Sequence, residues 1–178
     1  MSTLVPFAPT LETERLILRG PEPRDIEPFI AFAADPRANG FGGTMPRDDA
    51  WRWFGMNIGH WHIKRFGYFF IQERATGKTA GISGIWMPEG WPEPEIGWSV
   101  FAGFEGKSIA FEAAQRVRQH VYEDHKWDTI TSMIVPGNTR SEALAKRMGC
   151  TLEGTYENPH MGLDQIFRHP SREALGYA

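Results

Sequence analysis

The sequence contains a single cysteine, Cys150, among its 178 residues. One cysteine cannot form a disulfide within the chain, and this favours a reducing, cytoplasmic environment. Residues 1–10 contain no Lys or Arg and no long apolar run, so we expect no signal peptide. No segment approaches the roughly 20 consecutive apolar residues of a membrane-spanning helix. These absences predict a cytoplasmic protein that has no membrane partner.

The chain also lacks an excess of positive charge and a set of metal ligands. Its formal net charge is −3, which argues against nucleic acid as a partner because phosphate binding is driven by Lys and Arg. His60 and His62 lie two residues apart in a predicted helix and therefore point to different faces. No cysteine or carboxylate spacing supplies further ligands, so we expect no metal.

The composition that remains is that of one globular domain, residues 1–178, with 41% apolar and 23% charged residues. Hydrophobic periodicity predicts four helices, at residues 25–34, 50–64, 108–124 and 138–148. It predicts seven strands, at residues 11–19, 68–72, 79–86, 95–100, 129–135, 151–156 and 165–168. Their order predicts an α/β domain with a mixed sheet. Gly97, inside the fourth strand, suggests a bulge or a close backbone approach.

The segment Gly106-Lys107-Ser108 resembles the end of a phosphate-binding P-loop. That motif requires a glycine five positions earlier, where this chain has Phe101, so we reject a nucleotide triphosphatase. Two interpretations stay open. The unpaired N–H groups at the start of the helix that follows would bind an anion, or the segment is a plain loop into a core helix.

Several segments together resemble one family. Residues 105–110 follow its pattern Gln/Arg-x-x-Gly-x-Gly/Ala, with Glu105 in place of Gln or Arg and Ser108 in place of the middle glycine. The strand EIGWSV, the segment VPGNTRSEALAKRMGCTLEG and the opening LETERLILR…DIEPFIAFAADP match in the same order. Over residues 10–158 the chain resembles the GCN5-related N-acetyltransferases (GNAT), of the branch of ribosomal-protein N-terminal acetyltransferases (RimJ/RimL-like).

The resemblance implies an α+β fold in which the sheet splays between strands four and five, flanked by about four helices. It implies acetyl-CoA as the co-substrate. The residues that it assigns to acetyl-CoA binding are Trp98, Ser99, Val100, Glu105, Gly106, Lys107, Ser108, Ile109, Ala110, Asn138 and Ser141. Asn138 also fits a simple helix N-cap.

The resemblance further implies that an amine attacks the thioester directly, without a nucleophilic residue. Glu95 is the first candidate base and Glu93 the second, although either fits a solvated strand end and a water relay would also serve. Ser141 is the candidate acid, because many relatives place a tyrosine where this chain has Ala145; a helix-turn role is the alternative. Cys150 is expected to be a small buried hydrophobe.

The acceptor carries no motif of its own. The resemblance favours the α-amine of a peptide or protein; the alternatives are a small amine (a polyamine, an amino acid or an antibiotic) or a non-catalytic acyl-CoA-binding module. We expect the choice to depend on the loops 35–47, 86–94 and 157–164. The aromatic loop around Trp86 and Trp91 would line an acceptor groove or cover the core. A monomer or a homodimer is compatible with the sequence.

Overall fold

A single mixed sheet of eight strands carries the fold in a computed structural model that describes residues 7–158 and 161–177. The strands are β1 (Leu11–Glu12), β2 (Leu16–Arg19), β3 (Tyr68–Glu73), β4 (Thr79–Trp86), β5 (Glu95–Val100), β6 (Thr131–Ile134), β7 (Thr151–Asn158) and β8 (Gly162–Arg168). The helices are α1 (Ile26–Ala33), α2 (Arg47–Lys64), α3 (Ile109–Glu123) and α4 (Thr139–Arg147), with 3₁₀ turns at Pro23–Asp25 and Pro36–Phe41.

The strands follow the order β1-β2-β3-β4-β5-β6-β8-β7, and every neighbouring pair is antiparallel except β5 and β6. These two parallel strands pair at one position only, Glu95 with Thr131. They are the fourth and fifth strands of the sequence prediction, so the predicted fold and its splayed sheet are confirmed.

The predicted first strand, residues 11–19, is wrong in one respect. A tight turn in which the Thr13 N–H donates to the Leu16 carbonyl at 3.0 Å divides it into β1 and β2. The two halves then pair as a hairpin, with Leu11 opposite Leu18. The apolar alternation continued across the turn, so periodicity alone did not reveal the break.

The sheet is covered on both faces. Successive residues of β3 point to opposite sides, so Phe69 belongs to the apolar cluster under α3 and Phe70 to the cluster under α1 and α2. Helix α3 contributes Ala113 and Ala114, both completely buried, and these small side chains allow the helix to lie close to the strands. Among the residues described, no helix is both long enough and apolar enough to cross a membrane.

Candidate active site

The divergence of β5 from β6 opens a wedge at the centre of the sheet. On one edge of β5, the Phe101 N–H donates to the Ala80 carbonyl of β4 at 2.8 Å. On the other edge, the Ile96 carbonyl accepts a hydrogen bond from Ser132 Oγ at 2.6 Å. Backbone groups alternate between the two edges of a strand, so those of Trp98 and Val100 point into the wedge, whereas those of Ser99 point to β4. Trp98 and Val100 therefore offer free backbone groups to a ligand.

A cavity of about 920 Å³ extends from this wedge to the start of α3. It is lined by eight of the residues assigned to acetyl-CoA: Trp98, Ser99, Val100, Glu105, Gly106, Ala110, Asn138 and Ser141. Ser108 and Ile109 line an adjoining cavity instead. The Lys107 ammonium lies 3.9 Å from a Glu73 carboxylate oxygen and 5.1 Å from the centre of the Phe104 ring, so it is directed away from this cavity.

The start of α3 has the features of an anion site. The first backbone bond of the helix runs from the Glu112 N–H to the Ser108 carbonyl, which leaves the three preceding N–H groups without helical partners. Gly106 and Ser108 hold the left-handed backbone angles, φ 73° and 59°, that turn the loop into the helix. Arg140 lines the cavity and supplies positive charge. The loop and its neighbours therefore fit a pyrophosphate group.

Glu105 stands at the mouth of the same cavity, where a carboxylate would oppose a phosphate. Its Oε1 lies 2.6 Å from Arg37 Nε, and its Oε2 accepts a hydrogen bond from the Gly103 N–H at 2.8 Å. The backbone N–H groups of Glu105 itself and of Gly103, together with Arg37 and Arg140, hold the pKa of this carboxyl below its ordinary value. Arg37, in the loop before α2, thus balances the negative charge of Glu105.

A second cavity, of about 350 Å³, lies on the other side of the wedge. It is lined by residues from all three loops that we expected to set the acceptor: Phe41 and Gly42 from 35–47, Trp91 from 86–94, and Met161 and Asp164 from 157–164. Residues 159–160 of the last loop lie outside the described residues. A Cβ built on Gly42 would lie 2.9 Å from Met161 Cε, so the first and last loops are in contact above the cavity.

Glu95 lines this cavity at the point where β5 and β6 separate. It is only 7% exposed. Its Oε1 accepts a hydrogen bond from Trp91 Nε1 at 2.7 Å, and its Oε2 accepts one from the Met133 N–H at 2.9 Å. Burial raises the pKa of Glu95 to about 7, although these two hydrogen bonds favour the charged form. Each oxygen keeps a further lone pair that can accept a proton.

The other candidate base occupies a different environment. Glu93 forms a bidentate ion pair with Arg168, at 2.7 and 2.8 Å, and is not among the residues that line the cavity. Asp164, which the sequence reading did not single out, does line it, and burial raises the pKa of this carboxyl. The structure therefore brings Glu95 and Asp164 together and keeps Glu93 apart.

The two cavities meet at a junction whose residues line both, namely Gly40, Trp98, Val135, Asn138 and Ser141. Trp98 Nε1 donates a hydrogen bond to Ser141 Oγ at 3.3 Å, so the Ser141 hydroxyl proton remains available to a ligand. Asn138 Oδ1 accepts a hydrogen bond from the Ser141 N–H at 3.3 Å, and Asn138 is therefore the N-cap of α4 while it also faces the junction.

Of the two features expected at Gly97, a bulge or a close approach to the backbone, the structure shows the close approach. Strands β4 and β5 pair over six residues without a change of register, so the predicted bulge is absent here. A Cβ on Gly97 would instead overlap the Tyr68 hydroxyl. The glycine thus makes room for a tyrosine that lines the acceptor-side cavity. Tyr68 could not be recognised from the sequence because it begins an ordinary buried strand.

The structure offers neither a reactive cysteine nor, among the described residues, a metal site near the wedge. Cys150 is buried, as expected, and burial raises the pKa of its thiol to about 11, which keeps it protonated at neutral pH. Within residues 7–158 and 161–177, no group of three His, Cys, Asp or Glu side chains is arranged to hold a metal ion. His60, for example, bonds through Nδ1 to the Phe66 carbonyl and through Nε2 to the Met87 N–H.

One wedge of the split sheet thus joins two cavities, a basic one at a helix N-terminus and an acidic one that meets it at Ser141. Residues 15–151 match the acetyltransferase (GNAT) domain family. The chain therefore belongs to the GNAT acetyltransferases.

Solved structures of the same fold support this assignment. An acetyltransferase from Agrobacterium tumefaciens str. C58 is 33% identical, with a TM-score of 0.84 over 95% of this chain and 98% of that chain. A GNAT-family acetyltransferase from Bacillus anthracis is 21% identical, with a TM-score of 0.76 over 93% and 99%. RimL, a ribosomal L7/L12 α-N-protein acetyltransferase solved with coenzyme A, is 16% identical, with a TM-score of 0.72 over 91% and 98%. At the two lower identities the likeness concerns the fold alone.

Proposed function

We propose that the protein transfers the acetyl group of acetyl-CoA to a primary amine, and that the acceptor is the α-amine of a peptide or protein. One observation carries the proposal. A cavity with Arg37, Arg140 and a helix N-terminus meets, at Ser141, a second cavity that contains the buried carboxylate of Glu95. Phosphates suit the first cavity and an ammonium group suits the second.

Acetyl-CoA fits the larger cavity through groups that the chain already presents. The N–H groups at the start of α3, with Arg140 beside them, would hold the pyrophosphate. The free backbone edge of Trp98 and Val100 would pair with the amides of the pantetheine arm as an added strand does. The Val100 N–H is then the candidate donor to the thioester oxygen, where negative charge develops during attack.

Glu95 is suited to remove the proton of the acceptor amine. A pKa of about 7 leaves roughly half of the carboxyl groups ionised at neutral pH and makes them stronger bases than an exposed glutamate. The amine nitrogen forms a bond to the acetyl carbon, the carbon–sulfur bond breaks, and the amine proton passes to Glu95 directly or through one water. No residue of the chain becomes acetylated in this scheme.

Ser141 is suited to pass a proton to the departing thiolate. The hydroxyl recovers a proton from solvent water, and Glu95 releases to solvent the proton that it took from the amine. Its oxygen accepts from Trp98, so its own hydrogen can point to the junction of the two cavities. The tyrosine that many relatives use is replaced by Ala145, which is completely buried and has no proton to offer.

An α-amine is the acceptor that this base serves best. The pKa of an α-amine is near 8, against roughly 10.4 for a lysine, so transfer of its proton to Glu95 is much less unfavourable. The sequence resemblance to the ribosomal-protein N-terminal acetyltransferases favours the same acceptor, whereas the likeness to RimL, at 16% identity, concerns the fold alone. A small amine remains a second candidate, because a cavity of about 350 Å³ holds one compact group.

The test is thiol release from acetyl-CoA with a panel of peptides, lysine derivatives and small amines, and mass spectrometry of each product. We expect acetylation of free peptide N-termini and none of N-terminally blocked peptides that retain lysine. Acetylation of lysine side chains in the blocked peptides would contradict the α-amine assignment. Binding of acetyl-CoA without turnover on any amine would instead indicate a non-catalytic module.

A further inference from the structure

The cavity on the acceptor side has an unusual lining. Six aromatic residues contribute to it: Phe41, Trp53, Tyr68, Trp86, Trp91 and Trp98. Three carboxylates also contribute, from Glu89, Glu95 and Asp164, whereas no Lys, Arg or His is found among the described residues of the lining. An acceptor in this cavity therefore meets aromatic faces and negative charge.

Four of the aromatic rings form one continuous cluster. The Trp53 ring centre lies 5.0 Å from that of Phe41, 5.6 Å from that of Tyr68 and 5.3 Å from that of Trp86. The four residues come from four different elements, so each ring is held by neighbours that belong to other parts of the fold. A cluster of this kind is preorganised, and it can bind an apolar group and a cation without first rearranging.

The two deepest carboxylates lack ion-pair partners. Glu95 is 7% exposed and Asp164 is 4% exposed, and none of the described residues forms a salt bridge with either. A buried carboxylate without a positive partner is costly, and a bound ammonium group would supply that partner. The same charges oppose any anionic group on the acceptor.

We infer that the acceptor is an amine attached to a bulky apolar or aromatic group and without a carboxylate or phosphate nearby. The inference rests on the proposed function and names its substrate class. Both the first residue of a peptide and a free arylalkylamine have this chemistry. A free amino acid does not, because its carboxylate would lie among Glu89, Glu95 and Asp164, and none of the described lining residues is basic.

Four matched acceptors test the inference: phenylalaninamide, alaninamide, phenylalanine and 2-phenylethylamine. We expect kcat/KM for phenylalaninamide to exceed that for alaninamide by roughly 10- to 100-fold, because the ring becomes buried against the aromatic cluster. Phenylalanine should be at least tenfold poorer than its amide. Comparison of phenylalaninamide with 2-phenylethylamine then distinguishes a peptide terminus from a simple arylalkylamine.

A pair of tryptophans on α2 supplies a matched control. Trp53→Leu should reduce the preference for phenylalaninamide over alaninamide severalfold. Trp51→Leu should leave it unchanged, because Trp51 is 59% exposed and is not among the residues that line the cavity. Asp164→Asn should reduce the discrimination against phenylalanine. Stabilisation by acetyl-CoA in a thermal melt verifies that each variant is folded.

Binding provides a measurement that does not depend on turnover. 2-Phenylethylammonium should change the tryptophan fluorescence in a saturable way, and 2-phenylethanol, which lacks the charge, should bind at least tenfold more weakly. Equal rates for alaninamide and phenylalaninamide, or a preference for the free acid, would overturn the inference and leave acetyl transfer intact. Binding of the ammonium ligand without any acetyl transfer would overturn the proposed function, and with it the role of such an amine as acceptor, and would leave only the preference of the cavity for amines of this class.

Discussion

Replacement of Glu95 by Gln removes the candidate base and a buried charge together. In the wild-type protein both carboxylate oxygens accept hydrogen bonds, from Trp91 and from the backbone of Met133. A glutamine offers one oxygen and one NH₂ group, so one of these two donors loses its acceptor. The variant therefore has two measurable consequences, one on activity and one on stability.

The effect on activity follows from the role of a base. Loss of such a group lowers the rate by roughly 10²- to 10⁴-fold. The wild-type rate should fall as the pH drops below the Glu95 pKa of about 7, because the protonated carboxyl cannot accept a proton. The rate of Glu95→Gln should not show this decrease below pH 7. It should instead rise with pH up to the pKa of the acceptor amine, which is near 8 for an α-amine.

The effect on stability has a definite sign. The pKa of Glu95 is about 7 in the folded protein and 4.5 as its ordinary value. Between these two pH values the folded protein retains a proton that the unfolded chain has lost, so stability falls as the pH rises through this window. The difference corresponds to about 3 kcal/mol above pH 7. Glu95→Gln does not titrate, so its stability relative to wild type should increase from pH 4.5 to 7 by up to that amount.

Thermal melts and initial rates of both proteins from pH 5 to 9 measure these effects. For a chain of this size, about 1 kcal/mol corresponds to roughly 2–4 °C in Tm. Glu93→Gln is the control. Because Glu93 is paired with Arg168, this variant should have rates close to those of the wild-type protein. If Tm depends on pH in the same way in the wild-type protein and in Glu95→Gln, burial does not raise the pKa of Glu95. Wild-type rates for Glu95→Gln would refute its role as the base.

Substitutions at three further positions, two of them with control variants, examine the rest of the site. Ser141→Ala should lower kcat more than it raises the KM for acetyl-CoA, because the proton that Ser141 gives to the thiolate is needed chiefly in the transition state. An unchanged kcat in steady-state kinetics would show that Ser141 is not the acid. Ser108→Trp should abolish the thermal shift caused by millimolar acetyl-CoA, whereas Ser108→Gly should preserve that shift. The Gly variant should also have a higher Tm without ligand, because Ser108 has φ 59°, an angle that glycine adopts more easily. Normal binding by the Trp variant would show that the phosphates bind elsewhere. Gly97→Ala should destabilise the fold by about 1–3 kcal/mol, because the new methyl group overlaps the Tyr68 hydroxyl. Gly55→Ala is the control and should not destabilise it, because a Cβ on Gly55 has no atom within 4 Å. Equal Tm values for these two variants would contradict the overlap.

Periodicity and turn residues were sufficient to predict most of the fold. The helix that begins after Ser108 was predicted within one residue of α3, because Ala113, Ala114 and Val117 repeat on one face while polar residues occupy the other. Helix α2 begins three residues earlier than predicted, at Arg47, where Pro46 is the N-cap and Asp48 and Asp49 favour the first turn. The break between β1 and β2 was missed because it interrupts the backbone without interrupting the apolar pattern.

The site divides in the same way. Residues 105–110 were assigned to the cofactor through the family resemblance, which can be recognised there because a loop that leads into a helix N-terminus is a local feature of the chain. Tyr68, Asp164 and Trp53 could not, because they line the same cavity as Glu95 only after strands far apart in sequence have paired and helix α2 has packed on the sheet. The charge balance between Arg37 and Glu105 joins positions 68 residues apart and has no signature in the sequence.

The central claim is that amine and acetyl-CoA occupy the wedge together and react directly. Initial rates measured while both acetyl-CoA and the best amine acceptor are varied test it most directly, with mass spectrometry of the intact protein during turnover. We expect double-reciprocal lines that intersect, an N-acetylated acceptor and an unmodified protein. Parallel lines, with an acetyl group attached to Ser141 or Cys150, would contradict it.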